Sequence, residues 1–300
     1  MAQPILPAAI AFLGGGNMAQ ALISGLLAQG HPADRLHVAD TDTAKLADLA
    51  AQGVRIYDAS VGQTPEAIRA AEVVVLAVKP QVLQAVLTPL QGVWDRQLVI
   101  SIVAGIALAT LKDWLAASLA VVRAMPNTPA MIQQGATALY ADVEVSTDQR
   151  TLAEQLLSAV GLVHWLDDET LLDAATAISG SAPAYVFYLL EHMIATGEAM
   201  GLNTADAAAL ALQTAVGAAQ MAAQSHHQGT DTPTTLRQKV TSPNGTTQAA
   251  IAALDAADVG QAIAQAMHAC ATRSRQISQE FGVTPPTAVQ TTGKPTGKPQ

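Results

Sequence analysis

Three hundred residues can form one large or two medium domains with a sizeable core. Half of them are apolar, but only 3% are aromatic and 13% charged, so alanine and leucine must carry the burial, as in closely packed helices. A net charge of −9 argues against a nucleic-acid or anionic-membrane surface, leaving phosphates to backbone N–H groups and a few local cations.

The one cysteine, Cys270, cannot close an internal disulfide, which suits a reducing cytosol, and it is expected to be a small buried hydrophobe. Met1 to Ala9 lacks the basic and apolar segments of a signal peptide. No window reaches the roughly 18 apolar residues of a membrane span. Residues 284–300 repeat Gly-Lys-Pro and are expected to be a disordered tail.

Ala8 to Leu13 is an apolar run that ends in Gly14-Gly15-Gly16-Asn17-Met18-Ala19 and passes into a helical pattern carried by Leu22, Leu26 and Leu27. The spacing Gly14-x-Gly16-x-x-Ala19 between strand and helix fits a dinucleotide fingerprint. Gly14 serves the tight turn, Gly16 lets the backbone approach a pyrophosphate, and the helix N-terminus supplies N–H groups and a favourable dipole. A second strand, Leu36–Ala39, ends at Asp40, where an acid normally receives the ribose hydroxyls of NAD. Lys45 is assigned to the interior of a helix over Thr43–Gln52, so no cation is expected beside a 2′-phosphate. NADH is therefore expected to be accepted alongside NADPH. The competing reading is that Asp40 or Asp42 only caps that helix.

Further strands are predicted at Val54–Ile56, Val73–Val78, Leu98–Ile102, Ala120–Arg123, Ala136–Tyr140 and Leu162–Trp165, with a helix at Thr147–Ala159. Ala77, Val78, Lys79 and Pro80, and Ile102, Val103 and Ala104, follow strand ends, where open α/β sheets bind ligands. Asn127, between Pro126 and Pro129, either anchors ligand or holds its loop. His164 reads as a surface or edge residue, since no acidic or hydroxylic partner is adjacent in sequence.

From Asp168 onward the pattern is helical, broken twice: at Ser179-Gly180-Ser181-Ala182-Pro183-Ala184-Tyr185 and at Ser242-Pro243-Asn244-Gly245-Thr246-Thr247. Each break is either a helix cap or a small-ligand contact. The run Ala205–Gln224 is so poor in charge that it is expected to be buried nearly all round, which one helical layer cannot provide; a homodimer supplies the cover. His226-His227 do not share a helix face, and no Cys/His cluster has zinc spacing, so no metal is expected. A β-hydroxyacid dehydrogenase would need a lysine base on a long helix, and Tyr185–Met200 and Ala205–Gln224 contain none.

These blocks, with Arg123-Ala124-Met125-Pro126-Asn127-Thr128-Pro129 and Ser101-Ile102-Val103-Ala104-Gly105, resemble the Δ1-pyrroline-5-carboxylate reductase family from about Ile10 to about Gln279. The resemblance implies an α/β Rossmann-type N-terminal domain (1–166) plus an all-α C-terminal dimerisation domain (167–283), in a cytoplasmic enzyme whose dimers often assemble into decamers. It implies hydride transfer from NADPH or NADH to the C=N bond of 1-pyrroline-5-carboxylate, giving L-proline. Leu13, Gly14, Gly15, Gly16, Asn17 and Met18 would face the pyrophosphate. Asp40 and Thr64 would lie nearby, with Ala77 to Pro80, Ile102 to Ala104 and Asn127 completing the cofactor side. Gly245, Thr246 and Thr247 would hold the substrate, with Ser242 and Lys239 close by and Thr247 near the imine nitrogen. Asp40 and Asn244 depart from the commonest family residues, as do Ala182, Thr64 and Lys239. Asn tolerates a left-handed φ, so the turn at Asn244 is expected to survive.

Overall fold

The computed structural model describes residues 8–282; the expected tail and the residues before Ala8 lie outside the described residues. The first part of the chain alternates strand and helix: β1 (Ile10–Leu13), α1 (Asn17–Ala28), β2 (Leu36–Asp40), α2 (Ala47–Ala51), β3 (Arg55–Asp58), α3 (Thr64–Arg69), β4 (Val73–Leu76), α4 (Pro80–Leu87), β5 (Leu98–Ser101), α5 (Leu108–Leu115) and β6 (Val121–Met125). Next come β7 (Gly135–Ala141), α6 (Thr147–Ser158), β8 (Gly161–Trp165) and α7 (Leu171–Ala175). The strands form one sheet in the order β3-β2-β1-β4-β5-β6-β7-β8, parallel except where β7 runs against β6.

Strand pleating explains why the sheet is covered on both faces. On β1, Ile10 and Phe12 join one core with Leu22, Leu26 and Leu157, while Ala11 and Leu13 join the other with Leu83, Leu87 and Leu111. Val73 and Val75 divide from Val74 and Leu76 on β4 in the same way. Such runs, apolar at every position, are what a parallel sheet buried on both faces requires. Beyond β8, Glu169 ties down the connection to α7: its Oε1 accepts from Arg123 Nη1 at 2.6 Å and from the Leu108 N–H at 2.6 Å.

The remaining elements are α8 (Ala182–Ala199), α9 (Thr204–Gln228), α10 (Pro233–Lys239), α11 (Thr246–Ala256) and α12 (Val259–Glu280). The chain forms two compact units, one of residues 8–180 with 271–282 and the other Ser181–Cys270. By contacts α7 stays with the first unit, because it packs through Leu172 and Ala175 onto Ala138 of the sheet. Within this single chain α9 is not buried all round. Only Ala207 and Ala211 are buried along it, while Leu210, Leu212, Val216 and Met221 are about half exposed or more. His164 is exposed on the edge strand β8, as its sequence context implies. Cys270 is half-buried rather than buried, and its thiol donates to Ser181 Oγ at 3.2 Å.

His31, between α1 and β2, is 3% exposed. Burial lowers its pKa; the Ala8 carbonyl opposes this and Arg35 adds to it. A histidine kept neutral by the fold is more readily protonated when unfolded. Its stabilising contribution is therefore complete above about pH 6.5 and is lost as the pH falls below that value. His37, lowered first by burial and then by Arg55, adds in the same direction. Denaturant midpoints measured from about pH 8 to about pH 5.5 should fall for the wild type, and fall less for His31→Leu.

Candidate active site

Strand order reverses between β1 and β4, so the loops leaving their carboxyl ends border the crevice where doubly wound sheets bind ligands. The turn after β1 fits closely against the one after β4. Gly14 has φ +100°, and a Cβ there would lie 2.8 Å from the Ala77 carbonyl oxygen and 2.9 Å from Val78 Cγ1. A side chain at Gly14 is therefore excluded by both backbone and space. At Gly16 the opposite holds: a Cβ would meet nothing within 4 Å. That open cradle beside a helix start is the fit a dinucleotide pyrophosphate needs.

The helix ends support this. Gly16 is the N-cap of α1, with no side-chain cap and no acid in the first turn. Gln20 steadies the turn through Nε2, donating to the Gly15 carbonyl at 2.8 Å. Lys79, the N-cap of α4, is followed by Pro80 and likewise makes no cap bond; it is exposed and enters no ion pair among the described residues. By contrast α6, α9 and α10 are capped by Ser146, Asn203 and Thr232. The first-turn N–H groups of α1 are left for a ligand or water, whereas in α4 Pro80 has no N–H and the Val82 N–H donates to the Lys79 carbonyl at 3.1 Å.

The other expected residues fall along the same sheet edge. Asn17 is exposed and Met18 half-buried, whereas the Leu13 side chain is fully in the core, so Leu13 serves the site only through its place in the backbone. Ala77, Val78, Ile102 and Ala104 are half-buried and Val103 buried. The two loops adjoin, since the Ile102 N–H donates to the Leu76 carbonyl at 3.1 Å. Thr64 heads α3 just after β3.

Asp40 differs from its expected setting. The expected helix at Thr43–Gln52 begins as a 3-10 turn, Ala44–Leu46, which brings Lys45 Nζ back to Asp40 Oδ2 at 2.9 Å. The same oxygen accepts from the Gly15 N–H at 2.6 Å, and Oδ1 accepts from the Asp42 N–H at 2.9 Å. Burial raises the Asp40 pKa, but Lys45 and the Asp42 and Gly15 N–H groups outweigh it and hold the carboxyl below its ordinary value. A cation therefore stands beside Asp40 after all. The sequence held the signal, a lysine five residues past the acid, but helical continuity hid it.

Asn127 holds its loop. It is 9% exposed, its Nδ2 donates to the Ser179 carbonyl at 3.1 Å, and its Oδ1 accepts from the Ala136 N–H at 2.8 Å. One donor and one acceptor position of its amide are thus used within the protein. Asn127→Ala should cost about 1–2 kcal/mol in a denaturation measurement, since two half-buried backbone groups lose their partner. The affinity of the remaining folded protein for dinucleotide should change little.

At the two hydroxylic breaks, capping does not account for the hydroxyls. Ser181 precedes α8 without a cap bond and accepts from Cys270 instead, while Ser179 Oγ donates back to the Ala175 carbonyl at 2.8 Å within a π-turn, Thr176–Gly180. At the second break Gly245 is the N-cap of α11, and again no side chain caps it. The loop is held by the Gly245 N–H donating to the Ser242 carbonyl at 3.1 Å and by Gln248 Oε1 accepting from the Asn244 N–H at 2.6 Å. Asn244 has φ +59°, the left-handed conformation its residue type tolerates. The hydroxyls of Ser242, Thr246 and Thr247 have no partner among the described residues. Lys239 Nζ is paired with Asp231 Oδ2 at 2.7 Å. No group of His, Cys, Asp and Glu among the described residues could hold a metal.

Residues 169–277 match the family model described as pyrroline-5-carboxylate reductase dimerisation, and residues 9–105 match one described as NADP oxidoreductase, coenzyme F420-dependent. A pyrroline-5-carboxylate reductase of Pseudomonas aeruginosa is 46% identical over 275 residues, which is 91% of this chain and 98% of that protein. One from Haemophilus influenzae is 44% identical over 273 residues, again 91% of this chain and 98% of that protein. A solved structure of a pyrroline-5-carboxylate reductase from Coxiella burnetii superposes with a TM-score of 0.84 at 36% identity, covering 91% of this chain and 99% of that one. With the doubly wound sheet, the glycine turn at its switch point and the helical second unit already in place, this chain belongs to the pyrroline-5-carboxylate reductase family.

Proposed function

We propose that the protein reduces the C=N bond of 1-pyrroline-5-carboxylate to give L-proline, using NADPH or NADH. The observation that carries this reading is the pair of uncapped helix starts, α1 behind Gly16 and α11 behind Gly245. The first suits a pyrophosphate and the second a carboxylate. Gly14 to Met18 and Lys79 hold the dinucleotide, with Ala77 to Pro80 and Ile102 to Ala104 forming the nicotinamide side. When bound, the reduced nicotinamide supplies a hydride. Thr246 and Thr247 N–H groups take the substrate carboxylate, and the Thr247 hydroxyl hydrogen-bonds at the ring nitrogen.

A protonated imine is already electrophilic, so the site needs positioning more than a strong base. Hydride addition at carbon turns the iminium into a neutral secondary amine. The β-hydroxyacid dehydrogenase reading fails on chemistry, because α8 and α9 carry no lysine to serve as base.

The functional unit on this reading is a homodimer formed through residues 167–283. The half-exposed leucines, valine and methionine of α9 support it, being apolar surface of a kind that association covers. Further assembly of such dimers, up to the decamer of five, is to be sought by mass in solution. No helix among the described residues is long and apolar enough to cross a membrane, and the lone cysteine supports placing the protein in a reducing cytosol. Initial rates with 1-pyrroline-5-carboxylate and each dinucleotide, with L-proline identified as product, test the reading. Dinucleotide binding without turnover would instead mark a non-catalytic relative.

A further inference from the structure

We infer that Lys45, not Asp40, sets the choice between NADPH and NADH, and that Asp40 is a positioning residue for the glycine turn. This rests on the dinucleotide reading given above. An ionised carboxylate has about four acceptor positions. On Asp40, Oδ2 is engaged twice, by the Gly15 N–H at 2.6 Å and by Lys45 Nζ at 2.9 Å, and Oδ1 once, by the Asp42 N–H at 2.9 Å. One position on Oδ1 is left, enough for one ribose hydroxyl and so for NADH. The bond to Gly15 links the acid directly to the loop whose neighbour Gly16 opens onto the pyrophosphate cradle.

The charges around this end make Lys45 decisive. Asp42 is exposed two residues on. Asp58 stands beside Asp40 in register on β3, its carboxylate turned into its own turn, where it accepts from Ser60. Against these acids a 2′-phosphate needs a cation that can leave its present partner. The Lys45 side chain is 37% exposed while that of Asp40 is only 11% exposed, so the lysine is the mobile half of the pair. Turned to a 2′-phosphate, Lys45 provides a charge-assisted contact and frees a position on Asp40. Turned back, it leaves a neutralised site that tolerates an unphosphorylated ribose. One ion pair thereby permits both dinucleotides.

Calorimetric titration of the full chain with NADPH, NADH, adenosine 2′-monophosphate and adenosine tests this. Wild type should bind the two dinucleotides within about tenfold of each other. Lys45→Met should weaken NADPH and the 2′-monophosphate by roughly tenfold or more, the worth of a hydrogen bond to a charged group. It should change NADH by less than about threefold, and Lys45→Arg should restore most of the loss. As a measurement needing no variant, the wild-type affinity for NADPH should fall more steeply with salt than that for NADH. Equal weakening of both dinucleotides by Lys45→Met, or no effect on either, would overturn the assignment to Lys45. If folded wild type bound neither dinucleotide, the underlying reading itself would fall.

Discussion

Gly16→Val is expected to weaken dinucleotide binding roughly a hundredfold or more while costing no more than about 1 kcal/mol of stability. The neighbouring Gly14→Ala should do the reverse, destabilising the fold by about 2–4 kcal/mol through backbone strain and a clash. The contrast follows from geometry. A Cβ on Gly14 would press on the Ala77 carbonyl and Val78 at φ +100°, whereas one on Gly16 enters open space at an ordinary φ of −72°. A side chain that displaces nothing in the protein can only obstruct what comes to occupy that space. Thermal unfolding and calorimetric titration of the two variants check both halves. Normal dinucleotide affinity in Gly16→Val would place the pyrophosphate somewhere else.

Thr247→Ala should lower turnover by about tenfold to a hundredfold and leave dinucleotide affinity within about twofold. The effect is expected at the low end of proton-transfer contributions because the substrate arrives electrophilic. The fold should not notice the change, since the Thr247 hydroxyl has no intramolecular partner among the described residues and Gly245, not Thr247, is the N-cap of α11. Thr247→Ser should recover most of the rate by restoring the hydroxyl. Single-turnover rates beside binding titrations separate the two quantities. Equal loss of affinity and rate would mean that the loop serves the dinucleotide instead.

Much of the architecture was legible because β-pleating and apolar patterning speak directly. The continuous run Val73–Leu76 announces a strand buried on both faces, and Gly14-x-Gly16-x-x-Ala19 announces the turn beside it. What stayed hidden depended on tertiary partners. Nothing in Ala136–Tyr140 distinguishes an antiparallel strand from a parallel one, yet β7 pairs antiparallel with β6. That Asn127 holds its loop depends on Ser179 and Ala136, which are distant in sequence. Helical continuity concealed the 3-10 turn that returns Lys45 to Asp40. The hydroxylic breaks resembled caps, and only their unmade cap bonds separate them from ordinary helix starts.

The most direct measurement is a crystal structure of the protein with L-proline and the oxidised dinucleotide bound. The account predicts the proline carboxylate on the N–H groups of Thr246 and Thr247, its ring nitrogen beside the Thr247 hydroxyl, and the pyrophosphate over Gly16. Proline bound away from the head of α11, or a pyrophosphate that leaves the Gly16 cradle empty, would contradict it.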